Sequence, residues 1–240
     1  MNAVPVLKCE PSGETQDTSR GLFSIKHLSY TYQGSEEMAL NDINLEIEAG
    51  ESIGIVGRVG SGKSTLLKQF TRMANTGRGM LFIDGHDVCD YPLEQLRSQI
   101  AQVLQDPFLF GEPLRNNISY DEPERDLNLI WDSAEAAALK ETITEFPLQM
   151  DTLVGERGVT LSGGQKQRIS IARALLADPK VIILDEATSN LNTESETFIQ
   201  KSLDELMQDR TTFVIAHRLS NIRKANHILV IEDGQIIEGG

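Results

Sequence analysis

Gly57-Arg58-Val59-Gly60-Ser61-Gly62-Lys63-Ser64-Thr65 comes directly after the short apolar run SIGIVG at 52–57 and directly before a helix-like segment from Lys63 to about Ala74. The spacing G-x-x-x-x-G-K-[S/T] between a buried strand and a helix marks a phosphate-binding loop, or P-loop. Its glycines let backbone amides curl around phosphate oxygens, and the helix N-terminus adds partial positive charge. Lys63 reaches the terminal phosphates, and the Ser64 hydroxyl ligates Mg²⁺. Such a loop needs a second metal ligand, and Val181-Ile182-Ile183-Leu184-Asp185-Glu186 offers one where ligands gather, at the carboxyl end of an apolar strand. Asp185 suits the metal, directly or through water. Glu186, one residue further out, is placed to orient or deprotonate an attacking water.

Around this loop the apolar pattern predicts an α/β fold. Phe23, Ile25 and Leu28, then Ile43, Leu45 and Ile47, alternate with polar residues as half-buried strands do, which predicts an N-terminal antiparallel β-subdomain. LFI (81–83), IAQVL (100–104), VIIL (181–184), TFVIA (212–216) and HILVI (227–231) are short and separated by helical segments, the signature of a mostly parallel sheet covered on both faces. From about 112 to 178 no strand pattern recurs. Helical periods run instead around 127–145 and from 164 to 177, ahead of Pro179, predicting a helical subdomain over about 106–178.

Bulk properties narrow the class. A chain of 240 residues, 40% hydrophobic and 24% charged, fits one large domain of an ordinary globular protein. Its polar first 20 residues read as a linker or tail, leaving 21–240 as the domain. No segment reaches the ~18 apolar residues of a membrane-spanning helix, and the N-terminus lacks the pattern of a signal peptide, so the cytosol is the expected compartment. A net charge of −14 argues against nucleic acid as a partner, which calls for concentrated Lys and Arg. Cys9 lies in the polar leader and Cys89 in the loop-like DVCDY segment, so a free, reduced pair is expected.

Leu161-Ser162-Gly163-Gly164-Gln165 opens a predicted helix over Gln165–Ala177, a second helix N-terminus fit for phosphate. With the P-loop and VIILDEATS, the run LSGGQKQRISIARAL resembles the signature of ATP-binding cassette (ABC) ATPases. The resemblance extends from about residue 22 to the end. It implies a P-loop NTPase core, Mg·ATP as ligand, and hydrolysis to ADP and phosphate. Tyr32 resembles the aromatic that stacks on adenine, with Tyr30 the neighbouring alternative. Gln105 resembles the Q-loop glutamine that touches Mg²⁺ or the lytic water, and His217 the switch histidine at the γ-phosphate. It implies also a head-to-tail dimer in which Ser162, Gly163, Gly164 and Gln165 of one copy close on ATP held by the P-loop of the other, together with a transmembrane domain that the dimer drives at the cytoplasmic face of a membrane.

Thr152-Leu153-Val154-Gly155-Glu156-Arg157-Gly158 resembles the X-loop of exporters, and Gln105-Asp106-Pro107-Phe108-Leu109-Phe110 their Q-loop, so an exporter is expected over an importer. One departure stands out: Ser189-Asn190-Leu191-Asn192 carries a neutral amide where the family has Asp, which bears on how the two sites communicate. Intact LSGGQ and Glu186 favour a homodimer, a heterodimeric half being the alternative. The leader resembles the linker after a transmembrane domain, and the chain stops where exporters continue into terminal helices, so an excised domain is expected. A soluble ABC ATPase acting on DNA or ribosomes would carry coiled coils or tandem cassettes, and an ATP sensor without turnover would be separated from an ATPase by phosphate release.

Overall fold

Phe23, Ile25 and Leu28 turn inward from β1 (Phe23–Thr31), and Leu40, Ile43 and Ile47 turn inward from its antiparallel neighbour β2 (Met38–Ile47). The computed structural model describes residues 20–74, 76–122, 124–155, 158–185, 193–215 and 225–239, with the backbone alone at 193–198. The chain divides into two compact units, one formed by residues up to 100 with 180–183 and 209–240, the other by 101–179 with 184–208.

In the first unit, β3 (Ser52–Val56) leads through the glycine-rich loop into α1 (Lys63–Phe70). β4 (Leu81–Ile83) and β5 (His86–Asp87) follow. A four-stranded antiparallel sheet has the order β2-β1-β4-β5. LFI therefore belongs to the antiparallel sheet rather than to the parallel series predicted for it. Leu81 and Ile83 are opposed by Ile25 and Phe23, a pairing between segments some 56 residues apart that a three-residue run does not announce.

The second sheet has the order β10-β9-β3-β8-β7-β6, built from β6 (Ile100–Val103), β7 (Val181–Asp185), β8 (Thr211–Ile215), β9 (His227–Glu232) and β10 (Gln235–Gly239). β3 runs parallel to β8 and β9, whereas β10 returns antiparallel to β9. The division between the units passes through β6 and β7. One apolar core joins both sheets of the first unit to α1, and its centre is a trio of rings from Phe23, Phe70 and Phe213 with centroids 4.6–5.1 Å apart. Burying rings of this size removes 150–250 Å² each from water, the largest contribution a side chain makes to a core.

α1 ends at Phe70, earlier than the expected Ala74, because Arg72 turns left-handed at φ +50° and sends its buried guanidinium to the carbonyl of Tyr91 at 3.1 Å. Cys89 is buried in a tight 3₁₀ turn, Val88–Asp90. Cys9, the other cysteine of the sequence, lies outside the described residues.

The backbone just ahead of β1 is fastened from two sides. The carboxylate of Asp84 accepts from the amides of Arg20, Gly21 and Leu22 at 3.3, 3.1 and 2.9 Å. On the other side the Thr211 hydroxyl donates to the Gly21 carbonyl at 2.7 Å and accepts from the Gly50 amide at 3.0 Å.

The second unit is helical: α2 (Leu93–Ser98) precedes it, and it contains α3 (Leu114–Ile118), α4 (Leu127–Ala136), α5 (Lys140–Glu145), α6 (Gly163–Ala177) and α7 (Thr193–Met207). The single helical period read over 127–145 is interrupted by Ala138 at φ +56°, which splits it into α4 and α5. Buried Asn117 ties the unit together. Its side-chain amide donates to the carbonyls of Phe110 and Glu112 at 3.0 and 3.1 Å, and its oxygen accepts from the Phe110 amide and from Arg173 at 2.9 Å each. Arg173 also donates to the backbone carbonyls of Asn117 and Phe108. Burial holds its guanidinium below the ordinary arginine value, and such a group keeps its charge because these acceptors replace lost water.

Candidate functional site

The loop that follows β3 is shaped by what it leans on. Gly57 has φ +155°, and a Cβ there would stand 2.1 Å from the carbonyl oxygen of Ile231, on β9. Only a residue without a side chain allows strand and loop so close. The turn between β9 and β10 supports the far side, where the Gly234 amide donates to the Ser61 carbonyl at 3.0 Å and the Asn41 amide donates to the Gly234 carbonyl at 2.8 Å. Sequence reading did not single out Gly234. Its Asp-Gly pair was a legible hairpin signal, but the loop it would touch was not.

Within the loop, the Ser61 amide donates to the Arg58 carbonyl at 3.1 Å, and the Lys63 ammonium donates to the carbonyls of Gly57 and Arg58 at 2.8 Å each. Lys63 is buried, Ser64 is exposed, and Val59 is 91% exposed at the crown. The Ser61 hydroxyl is buried without a hydrogen-bond partner. A charge held by the loop's own carbonyls, an orphaned hydroxyl and a free helix start together suit a polyanion, whose oxygens would satisfy donors that the protein leaves open. An exposed hydroxyl at Ser64 suits Mg²⁺, which takes few protein ligands and shares the phosphates. No cluster of three metal-ligating side chains occurs among the described residues.

Tyr32 lies in the same unit. Its hydroxyl is 3.0 Å from the Thr65 hydroxyl, and its ring, 41% exposed, stands edge-on to Tyr30 with centroids 5.0 Å apart. Tyr30 is only half-buried, and burial together with its neighbour Tyr32 raises its hydroxyl above the usual tyrosine value. Of the two aromatics, Tyr32 is therefore the one joined to the glycine-rich loop.

In the second unit Ser162 caps α6. Its hydroxyl accepts from the Gln165 amide at 3.2 Å while the Gln165 side chain accepts from the Ser162 amide at 2.8 Å. This reciprocal cap leaves the amides of Gly163 and Gly164, at an open helix start, directed outward. Asp185 ends β7, and Gln105 is exposed just beyond β6. Both belong to the second unit. Glu186, His217 and the segment Ser189–Asn192 lie outside the described residues, as do Glu156 and Arg157.

The sequence profile of the ABC transporter family matches residues 40–189. The chain belongs to the ABC transporter family. Among ABC proteins it is 48% identical over 231 residues to a Bacillus subtilis protein named as a multidrug export ATP-binding/permease protein, covering 96% of this chain and 40% of that one. It is 48% identical over 225 residues to the ATP-dependent lipid A-core flippase of Yersinia pestis, covering 93% of this chain and 39% of the flippase. A bacterial Atm1-family ABC exporter with ATP bound superimposes with a TM-score of 0.89 at 34% identity, over 98% of this chain and 41% of that one. The chain thus spans about two fifths of the length of these ABC relatives.

Proposed function

We propose that this chain is the ATP-binding and ATP-hydrolysing domain of an ABC exporter, occupying residues 21–240 with a helical subdomain at about 106–178. Two cassettes, a homodimer in the simplest case, sandwich ATP and drive a transmembrane domain at the cytoplasmic face of the membrane. Among the described residues no helix is long and apolar enough to cross a membrane, so the membrane passage falls to another part of the transporter.

The observation that carries the reading is the 57–65 turn, with Lys63 folded onto the Gly57 and Arg58 carbonyls and the Ser61 hydroxyl unpartnered. ATP lies with its phosphates wrapped by the amides of residues 57–65 and its base against Tyr32. The Lys63 ammonium exchanges loop carbonyls for the terminal phosphates, which places positive charge where negative charge develops. Ser64 and Asp185 would hold Mg²⁺, Gln105 would touch the metal or the lytic water, and bound Mg²⁺ would supply charge neutralisation to the phosphate oxygens. Glu186 orients or deprotonates the attacking water, and His217 contacts the γ-phosphate. The partner's copy of the Ser162–Gln165 helix start closes on the same phosphate, so ATP joins the two copies until hydrolysis removes the bridge. The relatives named as exporter and flippase support the direction of transport.

The test is Glu186→Gln in the full 240-residue chain. Phosphate release falls to background while size-exclusion chromatography with Mg·ATP gives a stable dimer. Ordinary turnover in that variant removes Glu186 from the mechanism, and failure of the parent chain to bind Mg·ATP overturns the whole reading.

A further inference from the structure

Tyr32 is an exposed aromatic at the end of a strand, a position where a ring ordinarily samples several rotamers, yet it is held at two points. Its hydroxyl meets Thr65 Oγ1 at 3.0 Å on α1, and its ring packs T-shaped with that of Tyr30 at an interplanar angle of 85°. Thr65 is itself buried, 8% exposed, so its hydroxyl is turned toward Tyr32 from a fixed place on the helix that starts at the phosphate loop. Tyr30 is fixed in turn by the pairing of β1 with β2, opposite Leu40.

We propose that the Thr65 hydroxyl, with Tyr30 as a brace, is a positioning device for the Tyr32 ring, so that the base-dependent share of nucleotide affinity is set through Thr65. The proposal rests on the reading that Tyr32 stacks on the base. A stacking ring must otherwise be ordered when ligand binds, and each rotamer-rich side chain immobilised at that moment lowers affinity. Here two contacts within the first unit hold the ring in advance. They also link the two ends of the ligand, since the helix that presents Lys63 to the phosphates presents Thr65 to the aromatic two residues later. Thr65 thus serves the base side of the site through its hydroxyl while its backbone belongs to the phosphate turn.

The experiment is calorimetric titration of the full chain with Mg·ATP and with Mg·tripolyphosphate, which presents phosphates without a base. Tyr32→Phe and Thr65→Val each weaken ATP by about three- to tenfold, the range expected for one hydrogen bond. The double variant is no weaker than either single one, Thr65→Ser restores parental affinity, and Tyr30→Leu weakens ATP in the same direction. Tripolyphosphate binding changes by less than the ATP loss in every case. Losses that multiply in the double variant, or a Thr65→Val loss as large for tripolyphosphate as for ATP, overturn the proposal, because Thr65 would then act on the phosphates alone. Tyr32→Ala separates the two levels of the argument. If it loses ATP affinity while Tyr32→Phe and Thr65→Val do not, only the positioning role fails; if it loses none, the stacking reading fails and the positioning role with it.

Discussion

The ammonium of Lys63 donates to the carbonyl of Gly57, six residues earlier, at 2.8 Å. The lysine that would meet the terminal phosphates is thus also a strut of its own loop. Lys63→Ala removes charge and strut together, and Mg·ATP affinity in calorimetry should fall by about tenfold or more, the loss of one charge-assisted contact. Lys63→Arg should not rescue it. A planar fork cannot place one compact charge against two carbonyls as an ammonium does.

Gly57 and Gly60 separate overlap from backbone preference. Gly60 has φ +85° with nothing within 4 Å of an added Cβ, whereas at Gly57 that atom would overlap the Ile231 carbonyl. Gly60→Ala should cost about 1–2 kcal/mol in urea unfolding, the penalty of a left-handed alanine. Gly57→Ala should cost about 3 kcal/mol or more, because strain and overlap add.

At α6 the capping hydroxyl and the proposed phosphate contact can be told apart. Ser162→Ala should lower the melting temperature by about 2–4 °C, as loss of an N-cap worth about 1 kcal/mol does in a domain of this size. Phosphate release should fall by about tenfold or more, as when a preorganised donor is removed from a transition state. A fall in melting temperature with unchanged hydrolysis would leave Ser162 a cap only.

Asn117 is fully buried and divides its bonds between donors and acceptors, so neither alanine nor aspartate can replace it. Asn117→Ala should cost about 2–4 kcal/mol, the penalty of stranding two or more buried polar groups. Asn117→Asp should be no milder, since it sets a second acceptor against the Phe110 and Glu112 carbonyls. Chemical denaturation followed by circular dichroism measures both.

The strand, loop and helix around residues 57–65 could be read from the sequence because every determinant is local: an apolar run, glycines at fixed offsets and a helix period. The cap at Ser162–Gln165 was legible for the same reason. β4 was misassigned because its partner is remote, and α3 escaped notice because LRNNI buries an asparagine where a helical period calls for an apolar residue. Tyr30 and Tyr32, two apart in the sequence and so alike in a period-2 pattern, could not be separated by alternation. Only the Thr65 contact separates them, and that contact joins segments 33 residues apart. Arg173 sits inside the signature helix, and its ties to Asn117 and Phe108 span 56 and 65 residues, beyond any periodic signal.

The fastening of residues 20–22 by Asp84 and Thr211 gives the domain a mooring. A pull on the segment that precedes β1 would load a carboxylate and a hydroxyl anchored in two different sheets before it could peel the first rung of the β1 ladder. Displacement arriving from that side is therefore delivered to the framework as a whole instead of being lost as slack in an unravelling strand.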